Sequence, residues 1–346
     1  MKAVLLFGNI VLTLAMTLAI ALATLWGAMA LWSRLPFGAT GRATIAFVFV
    51  AVMLAAALLL WHRQRLVSAG VVLASWSALL FWWSTILPSN SRDWRPDVAH
   101  VADTRIDGDV LTVDNVRNFT WRSDSDFDQH WETRTYRFSQ LEGADLFLSY
   151  WAGENIAHAI VSFNFKDSLP LAFSVEIRRE KGEAYSTIAG LFKTYELAVI
   201  AADERDVVKV RSTVRGEDVR LFRLDIERAT ALALLKQYTL LAQDASRQPR
   251  WYNTLAQNCT TVIFGMARRL DPRVRMDWRI LLPGRLPAYL REHDFVSRAL
   301  PLDALVAAAR IATRAPGPAP DAGFSQRIRK GVPYPAGAVA DKPVSK

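Results

Sequence analysis

The first 88 residues contain no aspartate or glutamate, and their only formal charges are Lys2, Arg34, Arg42, Arg63 and Arg65. Three apolar runs lie within them: Val4 to about Trp26, Ala43 to Trp61, and Val67 to Ile86. Each matches the roughly 20 residues that a helix needs to cross the hydrocarbon of a bilayer. The first run is too long for a cleaved signal peptide and is followed by two more, so it reads as a retained helix. Trp32, Trp61, Trp82 and Trp83 fall near the span ends, where aromatic rings settle at the membrane interface. Lys2 and the link His62-Arg63-Gln64-Arg65 are assigned to the cytoplasmic side by the positive-inside rule, against the weaker opposing signal of Arg34 and Arg42. Three spans then deliver everything after Leu87 to the far side.

The net charge of +9 is carried by the two ends of the chain. The acid-free segment contributes +5, and the stretch from Arg310 contributes another +5, leaving the middle close to neutral at −1. No basic stripe covers the middle, so nucleic acid is not an expected partner. Residues 310–346, with Pro316, Gly317, Pro318, Pro320, Gly323, Pro333 and Pro335, have the composition of a disordered basic tail.

Residues 89–309 are enough for one substantial core. The first half alternates as strands do: Asp109 to Val113, Trp131 to Phe138, Ala144 to Tyr150, Ile156 to Phe165, Leu171 to Ile177, Tyr195 to Ala201 and Val219 to Ile226. The run Lys166-Asp167-Ser168 reads as the turn of a hairpin. The second half is helical by periodicity, over about 227–243, 260–270 and 286–293. Strands followed by helices predict an α+β domain.

Cys259 is the chain's single cysteine, so no intrachain disulfide exists, and no Cys/His spacing forms a zinc site. It stands in Gln257-Asn258-Cys259-Thr260-Thr261, where a helix is expected to begin. A helix N-terminus favours thiolate and offers free backbone N–H groups to a developing oxyanion. Most free cysteines are small buried apolar residues, and that reading stands beside the nucleophilic one. His158 lies on the predicted strand 156–165. Ser174, Glu176 and Arg178 share one face of the next strand, which makes Glu176 a candidate to orient the imidazole; the alternative for Glu176 is an exposed salt bridge with Arg178 or Arg179. Asn258 is a candidate N-cap or flanking donor, and the amide of Cys259 or Thr260 a candidate oxyanion donor. Asp203, Glu204 and Asp206 are interleaved with Arg205 and read as a charged surface turn rather than a metal site. Arg117 is expected to pair with Asp114 or Asp124. His100, His130 and His293 stand alone.

A histidine on a strand, an acidic residue on the next and Asn-Cys opening a helix resemble the circularly permuted papain-like enzymes, among them the lecithin:retinol acyltransferase group. More specifically, residues 89–309 resemble the Lnb N-terminal periplasmic domain family. The resemblance is carried by Ser89 to Trp94 with Pro96-Asp97, Asn115 to Phe119, Asp145 to Trp151, Ile156-Ala157-His158, Glu180 to Glu183 with Tyr185-Ser186, Asp203 to Asp206, Arg215 to Asp218, Trp251 to Asn253 with Asn258 to Thr261, and Asp277 to Leu281. Some relatives in that family are bacterial lipoprotein N-acyltransferases, so the resemblance implies a Cys-His thiol mechanism.

The expectation is therefore a three-helix anchor over 1–88, a periplasmic papain-like α+β domain with an antiparallel sheet over 89–309, and a disordered tail over 310–346. The domain would sit at a bacterial inner membrane with the N-terminus cytoplasmic. It would transfer acyl groups on membrane lipids or lipoproteins without a metal or other cofactor, Cys259 being nucleophile, His158 base and acid, Glu176 its orienter, and Asn258 and Thr260 oxyanion support. Two alternatives remain: a cysteine amidohydrolase of the cell envelope, and a non-catalytic envelope assembly protein.

Overall fold

The computed structural model describes residues 2–317 and 321–334. The chain forms two compact units, one of residues 1–89 with 185–195, the other of residues 90–184 and 196–346.

The first unit contains α1 (Lys2–Arg34), α2 (Ala39–Trp61) and α3 (Arg65–Thr85), joined by short turns. All three are long and apolar enough to cross a membrane. Gly27 brings α1 against α2, because a Cβ there would stand 2.6 Å from the Phe49 ring. Polar side chains within the bundle find partners there: Ser68 Oγ donates to the backbone Ala56 O at 2.8 Å, and Trp61 Nε1 to Thr17 Oγ1 at 3.1 Å. Residues 185–195 pack with these helices. Phe192 lies against Trp26, with centroids 6.1 Å apart, and Lys193 Nζ donates to Trp83 O at 2.8 Å and Ile86 O at 3.2 Å. A cation on the last carbonyls of α3 is where the helix dipole favours one.

The second unit is built on β1 (Asp103–Asp107), β2 (Val110–Arg117), β3 (Thr120–Trp121), β4 (Phe127–Asp128), β5 (Trp131–Arg137), β6 (Leu141–Tyr150), β7 (Ala157–Phe165), β8 (Leu171–Arg178), β9 (Glu196–Ala202) and β10 (Asp218–Arg223). Eight of these form one sheet in the order β1-β2-β9-β8-β7-β6-β10, with β5 also paired to β2. β3 and β4 make a separate two-stranded ladder. The expected antiparallel sheet is corrected to a mixed one, since β2 meets β9 in parallel through Arg117 and Ala202. The β2–β5 register shifts between Val113 and Val116, where Asn115 takes φ 59° and its amide donates to Val101 O at 3.0 Å. Asn tolerates this left-handed conformation, so it suits the bulge.

The helices are α4 (Glu204–Val207), α5 (Arg228–Arg247), α6 (Cys259–Leu270), α7 (Leu286–Glu292), α8 (Leu302–Ala309) and α9 (Phe324–Arg329). Strand alternation sorts them onto two faces. Phe163 of β7 and Phe173 of β8 meet Tyr238 of α5, with centroids 5.8 and 5.0 Å away. Ser162, between such positions, points the other way and donates to Glu204 of α4 at 2.6 Å. The fold is an α+β arrangement, as expected from strands preceding helices.

Three further expectations are corrected. Asp203, Glu204 and Asp206 are buried rather than at a surface turn. Each has its own cation: Arg134 and Arg205 for Asp203, Arg329 for Glu204, and Arg117 for Asp206. Asp206 accepts from Arg117 Nε at 2.9 Å and Nη2 at 3.1 Å, the Phe119 amide at 2.8 Å and Trp121 Nε1 at 2.7 Å. That density of donors is what lets a buried charge persist. Arg117 therefore pairs with Asp206, not with Asp114 or Asp124. The tail expected to be disordered is folded where described. Ile311 N donates to Val219 O at 3.0 Å, Phe324 and Ile328 are fully buried, and Arg329 joins Glu204 and Asp145. Composition concealed this because a few apolar residues and one arginine suffice to dock the segment. Residues 318–320 and 335–346 of that expectation lie outside the described residues.

Candidate active site

α6 begins at Cys259 because Asn258 caps it. Asn258 Oδ1 accepts from the amides of Thr260 and Thr261, both at 2.9 Å, and Thr261 Oγ1 accepts from the Asn258 amide at 2.9 Å. This reciprocal capping box fixes the first turn. Asn258 Nδ2 donates to Thr254 O at 2.7 Å, so the side chain is occupied on both ends. Asn258 thus supports the site by shaping the helix start. The Thr260 amide is likewise spent on the cap, and Thr260 reaches the sulfur through its hydroxyl instead, with Oγ1 3.8 Å from Sγ.

Antiparallel pairing of β7 with β8 stops at Ile160 and Ser174. Cys259 comes to β7 just beyond that pair, close enough to His158 and to the Ala159 amide for both to lower its thiol. His158 Nε2 lies 2.7 Å from Ser174 Oγ and 3.3 Å from Glu176 Oε1. Ser174 Oγ donates to the same Glu176 oxygen at 2.6 Å, and Arg211 Nη2 donates to it at 2.7 Å. The structure thus brings together His158, Ser174, Glu176 and Arg211, and places Cys259 within electrostatic reach of His158. Glu176 is not on an exposed edge strand, because β8 lies between β7 and β9.

The electrostatics follow from this packing. Burial opposes charge on all three groups, but each is compensated by its neighbours. His158, disfavoured as a cation by burial, is pushed up to about 9 by the carboxylate of Glu176 and by Cys259. Burial would raise the Cys259 thiol, yet the His158 charge and hydrogen bond bring it below its ordinary value. Burial would also raise Glu176, and His158 with Arg211 holds it well below the usual carboxylate range. Both shifts move the pair in the direction of thiolate and imidazolium.

Sequence reasoning did not assign roles to Ser174, Arg211 or the Ala159 amide. Ser174 was legible as a residue on the Glu176 face. Arg211 carries no local signal, because it reaches Glu176 only through a π-helical turn, Val210–Val214. The lone histidines play no part here: His100 stacks edge-on against Trp131, His130 pairs with Glu132, and His293 lies against Tyr289. Among the described residues no cluster of His, Cys, Asp and Glu is arranged to hold a metal ion.

Near the start of α6 lies an apolar cavity of about 110 Å³. Its wall includes Ala159 and Thr260, the chain neighbours of His158 and Cys259, together with Leu146, Leu234, Ile263 and Phe264. Asp271 at its edge is held by Arg273 at 2.7 Å.

These features describe a membrane protein with three candidate spans and a separate α+β domain that presents a cysteine at a helix N-terminus. Residues 127–284, which include His158, Glu176 and Cys259, match the family model described as the Lnb N-terminal periplasmic domain. No curated protein and no solved structure gives a significant match.

Proposed function

We propose that the α+β domain is a thiol-dependent acyltransferase acting on a lipid or lipoprotein at the periplasmic face of a bacterial inner membrane. The observation that carries this reading is the apolar cavity lined by Ala159 and Thr260, the chain neighbours of His158 and Cys259. A peptide substrate needs polar groups to satisfy its buried backbone, whereas a hydrocarbon chain needs none. Dry apolar cavities of roughly 150 Å³ admit small hydrocarbons, and this one is of similar order. The lining therefore favours acyl transfer over the amidohydrolase alternative. The His158–Glu176 pair and its electrostatic influence on Cys259 favour either enzyme over a purely structural envelope protein. The match to a periplasmic-type domain and the placement of Lys2, Arg63 and Arg65 support an inside N-terminus and an exported domain.

The chemistry divides into two halves. The Cys259 thiolate attacks the carbonyl carbon of an acyl ester, a C–S bond forms, and the carbonyl electron pair moves to oxygen. Collapse restores the C=O, breaks the ester C–O bond, and the leaving alkoxide takes a proton from His158. An amine nitrogen then attacks the thioester and gives a proton to His158. The C–S bond breaks and the sulfur departs as thiolate beside the regenerated imidazolium. Glu176, held by Arg211 and bridged by Ser174, keeps the ring oriented through both halves. Thr260 Oγ stands beside the sulfur, and the amide of Cys259 at the start of α6 is the backbone donor for the oxyanion. The test is the fate of a preformed Cys259 thioester in the purified full chain. Faster discharge by a primary amine than by water supports transfer, and discharge by water alone replaces it with hydrolysis.

A further inference from the structure

Between β8 and β9 the chain leaves the α+β unit, and residues 185–195 belong to the unit of the three spans. This loop, Tyr185-Ser186-Thr187-Ile188-Ala189-Gly190-Leu191-Phe192-Lys193-Thr194-Tyr195, holds no acid and a single charge. The charge is turned back onto the end of α3: Lys193 Nζ donates to Trp83 O and Ile86 O and stands 4.9 Å from the centroid of the Trp83 ring. Lys193 takes φ 52°, a left-handed conformation uncommon for a residue with a Cβ, and these contacts hold it there. Phe192 is buried against Trp26 of α1, which also stacks on Trp76 and meets Trp83 edge-on. Tryptophans gathered near the ends of spans mark the level of the lipid headgroups, so the loop meets the helices at that level. Ile188, within the loop, is nevertheless 57% exposed. One exposed isoleucine on a water-facing surface needs no explanation. On an acid-free loop docked at a tryptophan belt, it faces the medium that surrounds the spans.

We propose that residues 185–192 form an interfacial membrane loop, a contact with lipid additional to the three spans. Its partner is the phospholipid of the leaflet at the C-terminal end of α3, with Ile188 among the upper acyl chains. Interfacial segments of this kind bury their apolar side about 5–10 Å into the boundary between headgroups and chains. Lys193 keeps its charge at the headgroup level while its stem lies along the Trp83 ring, as a snorkelling lysine does. The proposal rests on the three helices being spans and not on acyl transfer. It bears on the α+β unit through connectivity. Glu176, near the end of β8, and His158, at the start of β7, lie at the end of the hairpin from which the chain leaves for the loop. The turn Lys166-Asp167-Ser168 lies at the other end.

The experiment places a single thiol on the full-length Cys259→Ser chain, by Ile188→Cys or, for reference, by Leu169→Cys beside the hairpin turn. Both positions are exposed, so neither change displaces a core residue. Each thiol is labelled with the same uncharged fluorophore, and the chain is reconstituted in phosphatidylethanolamine–phosphatidylglycerol vesicles. Emission is quenched in turn by phospholipid spin-labelled near the top of its acyl chain and by aqueous iodide. The Ile188 label should lose most of its emission to the lipid-borne quencher and little to iodide, and should lose more to lipid than the Leu169 label does. Lipid-borne quenching at Ile188 no greater than at Leu169 overturns the proposal. Because the chain tested lacks the Cys259 thiol, the result is independent of whether that residue carries acyl groups.

Discussion

Glu176 Oε1 stands 3.3 Å from His158 Nε2, and the same oxygen receives Arg211 Nη2 at 2.7 Å. One carboxylate oxygen thus ties the imidazole to a buried guanidinium on a different element. Ser174 closes the triangle, so the ring is held by two acceptors on β8. Orientation of His158 is consequently a property of β8 and of the turn that carries Arg211, and it does not depend on the helix bearing the thiol.

Glu176→Gln keeps the shape of this arrangement and removes its charge. His158 should fall from about 9 toward its ordinary value, because the largest influence raising it is lost. The Cys259 thiol should rise in turn. Iodoacetamide alkylation at neutral pH should slow, since less of the thiol is ionised. Arg211, left buried without its carboxylate, should cost about 2 kcal/mol of stability in thermal or denaturant unfolding.

The pair sets a pH window. Cys259 and His158 titrate together, so the apparent values belong to the pair. Activity should rise with pH through a midpoint below the ordinary thiol range, as thiolate forms. It should fall near pH 9, as the imidazolium loses the proton needed by the leaving alkoxide. The stability linkage has the matching sign. Because the folded value of His158 is raised, its contribution is present in full below the ordinary value of 6.5 and is lost as pH rises through about 9. A pH–rate profile with no alkaline limb near 9 would remove His158 from this role.

Asn258→Ala removes the acceptor for two amides and opens the start of α6. The expected loss is about 1 kcal/mol, typical of a helix N-cap. The rate should fall further than that stability change explains, because the sulfur sits on the first helical residue. Comparison of the denaturation midpoint with the alkylation rate separates the two effects.

Arg329→Ala probes the C-terminal segment. Glu204 and Asp145 are buried, and Arg329 is shared between them. Breaking a buried pair from one side leaves uncompensated charge, with a cost of about 3–5 kcal/mol. Truncation after Ala309 should be at least as damaging, because it also removes Ile311, Phe324 and Ile328 from the core. Unchanged melting of either variant would restore the view of residues 310–334 as dispensable.

The membrane topology has its own test. A periplasm-dependent reporter fused after Ser91 should be active, and one fused after Arg65 should not. The opposite pattern would reverse the assignment drawn from Lys2, Arg63 and Arg65.

Much of this arrangement was readable in the chain because it is local. Alternation located β7 and β8, the hairpin turn put Ser174 and Glu176 beside His158, and Asn-Cys-Thr-Thr marked the start of α6. The apolar, acid-free beginning marked three helices. What escaped was non-local. The parallel junction of Arg117 with Ala202 depends on where β9 enters the sheet. Asp203 to Asp206 looked like a surface turn because their partners, Arg117, Arg134 and Arg329, lie far away in sequence. The segment at 310–334 looked disordered because its anchoring residues are few and spaced by Pro and Gly. Thr260 was expected to offer its amide, and the capping box that consumes it is visible only once the helix start is built.

The most direct measurement of the central claim is the intact mass of the purified full chain after incubation with phospholipid vesicles, with Cys259→Ser treated alongside. The account predicts a wild-type mass increase equal to one fatty acid less the elements of water, located on Cys259, removed by neutral hydroxylamine and absent from the variant. A wild-type chain that stays at its unmodified mass, or an adduct of equal size on Cys259→Ser, would contradict it.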